Sequence, residues 1–273
     1  MSSPKNRDSC LRRRVPAYWF CFVAALSLLS LLEARSSGAQ TASPPLPTAD
    51  GKHPDWGPPV RDNQVLAHAL FEQLEGRSID SSQMLRWDAQ GWMGTDMNRL
   101  WIKSEGFSDG REMSDGDQEA LYDRPIPRMR YFDAQVGVRA DLDSGPRRAW
   151  AAVGVEGLAP WFFEFAPTLY IRDGGHIAGR VESSWELNIT QRLVLEPQAE
   201  LNFYSKDDES RKIGSGLADL DGGVRVRYEI RRKFAPYVGF AYSGGYNGTA
   251  TYERQAGEAV NNRSFVFGLR TWY

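Results

Sequence analysis

Long stretches of this chain alternate between apolar and polar residues, and this alternation constrains the fold more than any other feature. In YFDAQVGVRADL (131–142), every second residue from Phe132 to Leu142 is apolar, and the residues between them are polar or glycine. Similar rows run through 84–93, 176–189, 193–204 and 217–230. Successive side chains of a β-strand point to opposite faces, so the pattern predicts strands with one apolar and one polar face.

The predicted strands are longer than those of an ordinary soluble sheet. They span about 10 to 14 residues, whereas strands in globular sheets have about 5 or 6, and a tilted membrane-crossing strand needs about 9–11. Tight connections at 158–160, 190–192 and 231–233 alternate with long polar ones at 105–117 and 205–216. A soluble sandwich would also show the alternation, but strand length and loop pattern favour a barrel of the outer-membrane type.

The strand count supplies a check on this interpretation. Counting back from SFVFGLRTWY, whose last aromatic is expected at the periplasmic interface, gives eleven strands, one of them over 234–252. A barrel that starts in the periplasm needs an even number, so VLAHALFEQLEG (65–76) is assigned as the twelfth strand. Its pattern is mixed, and a short helix is the alternative. The sequence predicts an all-β fold, a transmembrane antiparallel up-and-down barrel of about 12 strands over 64–273.

Two segments precede the predicted barrel. Residues 1–39 combine a basic start, an apolar run over 18–32 and the small residues Ser37-Gly38-Ala39, as in a cleaved signal peptide. The run of about 15 residues is shorter than the roughly 20 that a transmembrane anchor, the alternative, would need. Residues 40–63 are rich in Pro and predict a disordered periplasmic segment. The expected location is the outer membrane of a Gram-negative cell.

Removal of 1–39 changes the charge and the cysteine content. Six of the 33 Lys/Arg and two of the 35 Asp/Glu leave with it, so 27 and 33 remain, a formal charge of −6. Both cysteines, Cys10 and Cys21, also leave, which excludes disulfides, thiolate metal sites and cysteine nucleophiles. Mild acidity without a basic block argues against a nucleic-acid partner.

Few residues suggest catalysis. A serine hydrolase would need a base, and the pairing of His176 with Ser183 or Ser184 is the only option in the predicted barrel. The sequence GFSDG (106–110) matches GxSxG, but it falls in the predicted polar loop 105–117 and not at a strand-to-helix turn, so no nucleophile elbow is predicted. The prediction is therefore that the protein is not an enzyme.

Metal-ligating residue types are scattered along the predicted barrel. Thioether and imidazole groups suit copper, and carboxylates can add to such a site. The methionines could equally pack against lipid or in a turn, and His176 could serve as a hydrogen-bonding residue. The weak candidates for metal ligands are His176, Glu182, Glu186, Met93, Met97, Asp88 and Glu105.

The polar rows of the predicted strands carry charges of both signs and should face the barrel interior. Buried charges persist only when they are paired and hydrogen-bonded, so one reading is a salt-bridged interior that stabilises a narrow barrel. The other reading is a path for a cation, since acidic residues are in excess. The inward set is Asp88, Arg99, Lys103, Glu105, Asp133, Arg139, Asp141, Glu164, Arg180, Glu182, Glu186, Glu196, Glu200, Asp219, Asp221, Arg225, Arg227 and Glu229.

Several blocks resemble the copper resistance protein B family. They are WDAQGWMGTDMNRLWIKSEG (87–106), GVEGLAPWFFE (154–164), the run over 204–239 and the ending FGLRTWY. The resemblance implies an outer-membrane barrel of copper resistance and homeostasis, which binds copper or limits or conducts it across the membrane, often beside a periplasmic multicopper oxidase. Its implied partners are copper ions and outer-membrane lipid.

One departure from the family bears on copper. Many members carry a Met- and His-rich segment between the signal and the barrel, whereas residues 40–63 here contain one histidine, His53, and no methionine. The remaining histidines are His68 and His176. The alternative function is therefore a general structural or solute-passage barrel without a copper-specific role.

Overall fold

The computed structural model describes residues 64–79, 82–108, 113–142 and 146–273, so the predicted signal peptide and the Pro-rich segment lie outside the described residues. The strands are β1 (Leu66–Ile79), β2 (Ser82–Thr95), β3 (Asn98–Ser108), β4 (Met113–Pro125), β5 (Phe132–Asp141), β6 (Arg148–Ala159), β7 (Phe163–Arg172), β8 (His176–Trp185), β9 (Leu187–Asn188), β10 (Leu193–Tyr204), β11 (Gly216–Tyr228), β12 (Phe234–Gly245) and β13 (Asn261–Trp272). One helix, α1 (Asn247–Ala256), lies between β12 and β13.

The strands close into a barrel. Each strand pairs antiparallel with its neighbour in the chain, and β13 pairs with β1. β8 and β9 are not paired with each other, but both pair with β10, so they occupy one strand position of the barrel with an interruption at Glu186. Each such strand position in the closed sheet is called a wall. The barrel therefore has twelve walls, which confirms the predicted fold and shows that 65–76 is a strand and not a helix. Across the described ranges, no helix has the length and apolar content needed to span a membrane.

Burial alternates along the strands as the sequence pattern predicts. In β5, Val136 and Val138 are exposed on the outside, while Gln135 and Arg139 are buried inside. The outer surface is a belt of apolar side chains, among them Leu85, Leu100, Ile102, Val153, Leu169, Phe240, Phe265 and Phe267. Such a belt is the surface that a barrel presents to lipid.

Two predicted boundaries are wrong. The polar stretch 105–117 is not a long loop, because β3 continues to Ser108 and β4 begins at Met113. Its charged residues Glu105 and Asp117 face inward, so polarity here marks the inner face of a strand. The predicted strand 234–252 ends at Gly245, and α1 follows it.

The two ends of the barrel differ. The terminal end, where β1 begins and β13 ends, carries tight turns, and one of these holds Trp161 and Phe162 exposed with left-handed backbone (φ 70° and 60°). The loop end is covered in part by α1 and the segment 205–215. Helix and segment approach closely at Gly214 and Gly248, where an added Cβ on either residue would lie within 3 Å of the other's backbone.

Candidate functional site in the barrel lumen

The barrel interior, or lumen, contains a cavity that opens toward the terminal end. Its volume is 390 Å³. It is lined by nine carboxylates and only four Lys or Arg side chains, so the wall is strongly acidic. The carboxylates are Glu72, Asp88, Glu105, Asp117, Glu119, Glu156, Glu164, Glu182 and Glu200, and the cations are Arg86, Lys103, Arg180 and Arg270.

Several of these carboxylates have few positively charged partners. Glu72 accepts a hydrogen bond from Gln90 (3.1 Å), and Glu164 accepts one from Ser184 (2.7 Å). Lys103 pairs with Glu156 at 2.7 Å. Within the described part of the chain, the Asp88 carboxylate makes no hydrogen bond or ion pair. Because these groups line the open volume of the cavity, the terminal-end cavity offers a negative surface to a mobile cation.

His68 lies at the rim of the terminal-end cavity. Its ring centroid is 6.3 Å from Trp92 and 5.6 Å from Trp272. Arg99 lies over the Trp92 ring at 5.5 Å, and Lys233 lies over the Trp272 ring at 5.0 Å. His68 was not among the predicted site residues, since the mixed pattern of 65–76 hid its inward position. Strand parity with the charged Glu72 would have shown that position.

A second cavity, of 740 Å³, occupies the loop end. Its wall is nearly balanced in charge, with eight carboxylates and six Lys or Arg side chains. Residues of the 205–215 segment, of α1 and of β12 line it, including Arg211, Thr249, Glu253 and Ser243. The acidic excess is therefore concentrated at the terminal end.

Ion pairs hold the 205–215 segment over the loop-end cavity. Asp208 binds Arg148 at 2.8 Å, and Asp207 accepts the backbone N–H of Ser215 at 2.6 Å. Partial burial opposes ionisation of Asp208, but the Ser210 hydroxyl and Arg148 outweigh it and lower the pKa of Asp208 below its usual range. The Ser215 hydrogen bonds lower the pKa of Asp207 in the same direction.

The structure brings three of the predicted metal-ligand candidates into one cavity. Asp88 and Glu105 are directly paired across β2 and β3, and both line the terminal-end cavity. Glu105 is engaged by Arg180 in an ion pair. Glu182 lines the same cavity from β8. Asp88, Glu105 and Glu182 thus share one space.

The remaining candidates are dispersed. His176 begins β8 at the loop end, six positions from Glu182, which is roughly 20 Å along a strand. Glu186 lies at the other end of this wall and pairs with Arg227 (2.8 Å) and Arg270 (3.1 Å). Within the described ranges no group of three or more His, Cys, Asp or Glu residues is arranged to hold a metal ion. A metal role for each residue stays a prediction.

The two methionine candidates lie away from the lumen. Met93 is exposed on the outer face of β2, and Met97 is exposed in the turn between β2 and β3 at the terminal end. Both positions match the alternative interpretation, packing against lipid or in a turn.

The serines considered for hydrolysis have other partners. Ser183 donates to the carbonyl of Ala199 (3.4 Å) and Ser184 donates to Glu164 (2.7 Å). His176 lies seven and eight positions away on the same strand, more than about 20 Å. The geometry therefore does not join Ser183 or Ser184 with His176 as a base.

Comparison with known proteins gives one family. The family model described as "Copper resistance protein B precursor (CopB)" matches residues 65–273. The chain is 36% identical to a copper resistance protein B of Escherichia coli, over 86% of this chain and 80% of that protein. It is also 36% identical to a copper resistance protein B homolog of Pseudomonas syringae pv. tomato, over 80% of this chain and 73% of that protein.

Among solved structures, the barrel is similar to the NanC porin. The TM-score is 0.48, and the sequences are 13% identical over 73% of this chain and 98% of the porin.

Proposed function

The chain belongs to the copper resistance protein B family, and we propose that it supports copper tolerance by holding copper ions in the acidic terminal-end cavity of an outer-membrane barrel. The observation that carries this proposal is the charge of that cavity, with nine carboxylates against four cationic side chains. Such an excess raises the local concentration of cations. Copper is here the ion that the barrel handles, and not a resident cofactor of the protein.

Each group in the cavity has a chemical part in this proposal. Glu72 and Glu164 attract the ion because their hydrogen-bond donors, an amide and a hydroxyl group, are neutral. Asp88 attracts it because no side chain of the described residues donates to its carboxylate. His68, at the rim, adds an imidazole, which is a good copper ligand. Carboxylates bind copper less selectively than imidazole or thioether groups do. The cavity is therefore suited to binding copper reversibly.

The location of the cavity bears on its partners. In an outer-membrane barrel, long loops lie outside and tight turns lie on the periplasmic side. The longest connections of this barrel, 205–215 and 246–260, lie at the loop end, which favours the terminal end, where the acidic cavity opens, as the periplasmic side. Copper in the cavity would then exchange with the periplasm. A periplasmic multicopper oxidase, the partner implied by the family, would act on the same pool of copper.

A growth experiment tests the proposal. A deletion strain is compared with strains that carry the wild-type gene or the double variant Glu72→Gln/Asp88→Asn, across a copper(II) series with zinc(II) as control. We expect copper-specific sensitivity that the wild-type gene cures and the double variant cures only in part, because the variant removes two carboxyl groups, which are ligands for the ion, from the cavity. Glu258→Gln, an exposed change at the loop end, is the matched control and should behave as wild type.

Two outcomes would contradict the proposal. Equal sensitivity of the deletion strain to copper, zinc and detergent would indicate a general structural or solute-passage barrel. Full tolerance with the Glu72→Gln/Asp88→Asn variant, at wild-type protein levels in the membrane, would show that the acidic cavity is not where copper is held.

A further inference from the structure

We infer that the lumen is not a continuous channel, because a layer of eight paired charged side chains closes it between the two cavities. This ion-pair layer consists of Arg77, Arg86, Arg139, Arg180, Glu105, Asp117, Glu200 and Asp221. The inference concerns passage through the barrel and does not depend on copper. It makes the terminal-end cavity a pocket with one opening.

The two cavities meet at the layer. Five of its members, Arg86, Glu105, Asp117, Arg180 and Glu200, line both the terminal-end and the loop-end cavity. All four arginines of the layer and Asp117 are buried, with no side chain more than 7% exposed. Groups that border both cavities while remaining buried form a partition between them.

Arg180 spans the lumen from one wall to nearly the opposite one. It projects from β8 and pairs with Glu105 on β3, which is five walls away in a twelve-walled barrel. Its guanidinium also binds Asp117 on β4 at 2.6 Å and Glu200 on β10 at 3.2 Å. A single side chain therefore links its own wall to three others across the lumen.

Arg86 makes the second crossing. It projects from β2 and binds Asp221 on β11 at 2.7 Å, with Glu200 on β10 at 3.5 Å. Glu200 thus joins the Arg86 and Arg180 crossings. Arg77 adds a further contact to Asp221 at 2.6 Å.

Arg139 completes the layer through Asp117, at 2.6 Å. The eight members come from eight different walls, and four arginines balance four carboxylates. A buried set of this kind is strongly destabilised when one partner is removed or pulled away, because a charge is left without compensation. The paired arrangement therefore favours the closed state.

Packed side chains fill the rest of the cross-section. Trp150 and Tyr170 are buried together with Leu121, Ala152 and Ala178. On the other side, Glu75 binds Arg225 at 2.9 Å and accepts a hydrogen bond from Tyr237 at 3.0 Å. These groups block the flanks of the layer, so that a path around Arg86 and Arg180 is closed as well.

Site-directed labelling tests the closure with the ion-pair layer intact. Because both cysteines of the chain lie in residues 1–39, single cysteines can be introduced at Gln198→Cys, in the terminal-end cavity, and at Ser243→Cys, in the loop-end cavity. Neither native side chain makes a hydrogen bond within the described residues. The full-length barrel in lipid vesicles is treated with a small membrane-impermeant thiol reagent from one side at a time. Arg232→Cys and Glu258→Cys, exposed at opposite ends, report the orientation.

We expect each cavity cysteine to react only from its own side. Gln198→Cys should match Arg232→Cys, and Ser243→Cys should match Glu258→Cys. Reaction of either cavity cysteine from both sides would overturn the inference. A cysteine that reacts from neither side would overturn it as well, because its cavity would then not be open at the end of the barrel that the inference assigns to it.

Removal of the two crossing arginines gives a second test. In the Arg86→Ala/Arg180→Ala background, Gln198→Cys should become reactive from both sides, whereas Arg232→Ala, which removes an exposed arginine, should leave labelling one-sided. Folding is checked by heat-modifiable gel mobility. A folded double variant that still labels from one side would show that the ion-pair layer is not the barrier. If the double variant does not fold, the labelling of the barrel with the intact ion-pair layer decides whether the inference holds.

Discussion

At the residue scale, Glu75 shows how a charge is accommodated inside this barrel. Its side chain is fully buried, and it binds Arg77 at 2.7 Å, Arg225 at 2.9 Å and the Tyr237 hydroxyl at 3.0 Å. Desolvation of a carboxylate is costly, but three donors on different strands offset it. Because the arginine charges are compensated by Glu75 as much as the Glu75 charge is compensated by them, these residues stabilise the barrel as one group.

Replacement of Glu75 should therefore be severe. Glu75→Ala leaves the buried Arg225 without its carboxylate, and we expect the free energy of unfolding to fall by about 3–5 kcal/mol. Denaturant unfolding of the barrel in lipid vesicles measures this loss. Glu258→Ala breaks the half-exposed pair with Lys212 and should cost about 1 kcal/mol or less. Similar losses for the two variants would contradict the account of Glu75.

The loop residue Asp208 gives a pH prediction. A pKa lowered by Arg148 and Ser210 means that the folded segment 205–215 is stabilised by the ionised carboxylate above the unfolded pKa of about 3.9. That contribution is lost as the pH falls through the lower, folded pKa. We expect the amides of 205–215 to keep their protection from hydrogen exchange at neutral pH and to lose it in strong acid, after correction for the intrinsic pH dependence of exchange.

A neutral variant checks the cause of that pH dependence. Asp208→Asn should expose the 205–215 amides to faster exchange already at neutral pH, because Arg148 loses its charged partner. Asp173→Asn, at a fully exposed position, should leave exchange unchanged. Unaltered protection in Asp208→Asn would assign the order of this segment to other contacts, such as those with α1.

At the element scale, alternation alone identified the strands but not where they end. Polar residues signal a loop in a soluble sheet, so the polar stretch 105–117 was assigned to a long loop, although β3 continues to Ser108 and β4 begins at Met113. The helix α1 was missed because NGTATYERQA lacks a clear apolar stripe. Its stop signal was visible: Gly257 caps it in the left-handed conformation (φ 75°), donating its backbone N–H to the Arg254 carbonyl.

A charged residue on the lipid-facing side of a strand should lower the stability of the barrel far more than a charged residue on the loop-end surface. Val138→Lys places an ammonium on the outer face of β5, where the native side chain is 58% exposed, and near the middle of the belt this costs about 2–4 kcal/mol. The measurement is again denaturant unfolding in vesicles. Thr251→Lys, on the exposed part of α1, is the control and should change stability little. Equal costs would show that β5 does not contact lipid along this row.

At the scale of the whole molecule, the sequence predicted the inward carboxylates but not which cations they meet. Strand parity places Arg180 and Glu105 inside the barrel, yet their contact joins β8 to β3, five walls apart. That contact depends on the closure and stagger of the sheet, which a list of strands does not contain. The acidic terminal-end cavity and the ion-pair layer form only when the barrel closes, because side chains from many strands contribute to each of them.

The described barrel closes through β1 and β13 without using residues before 64, and this leads to a prediction about residues 40–63. A variant that lacks this segment but keeps the signal should insert, resist unfolding and restore copper tolerance as the full chain does, because the proposed copper-holding groups all lie in the barrel. The measurements are heat-modifiable gel mobility and growth across the copper(II) series. A folded variant that fails to restore growth would move the copper role to the segment that contains His53. Exchange of 40–63 for a Met- and His-rich linker should then raise tolerance above that of the native chain if binding capacity limits growth, since thioether and imidazole groups hold copper more strongly than carboxylates do.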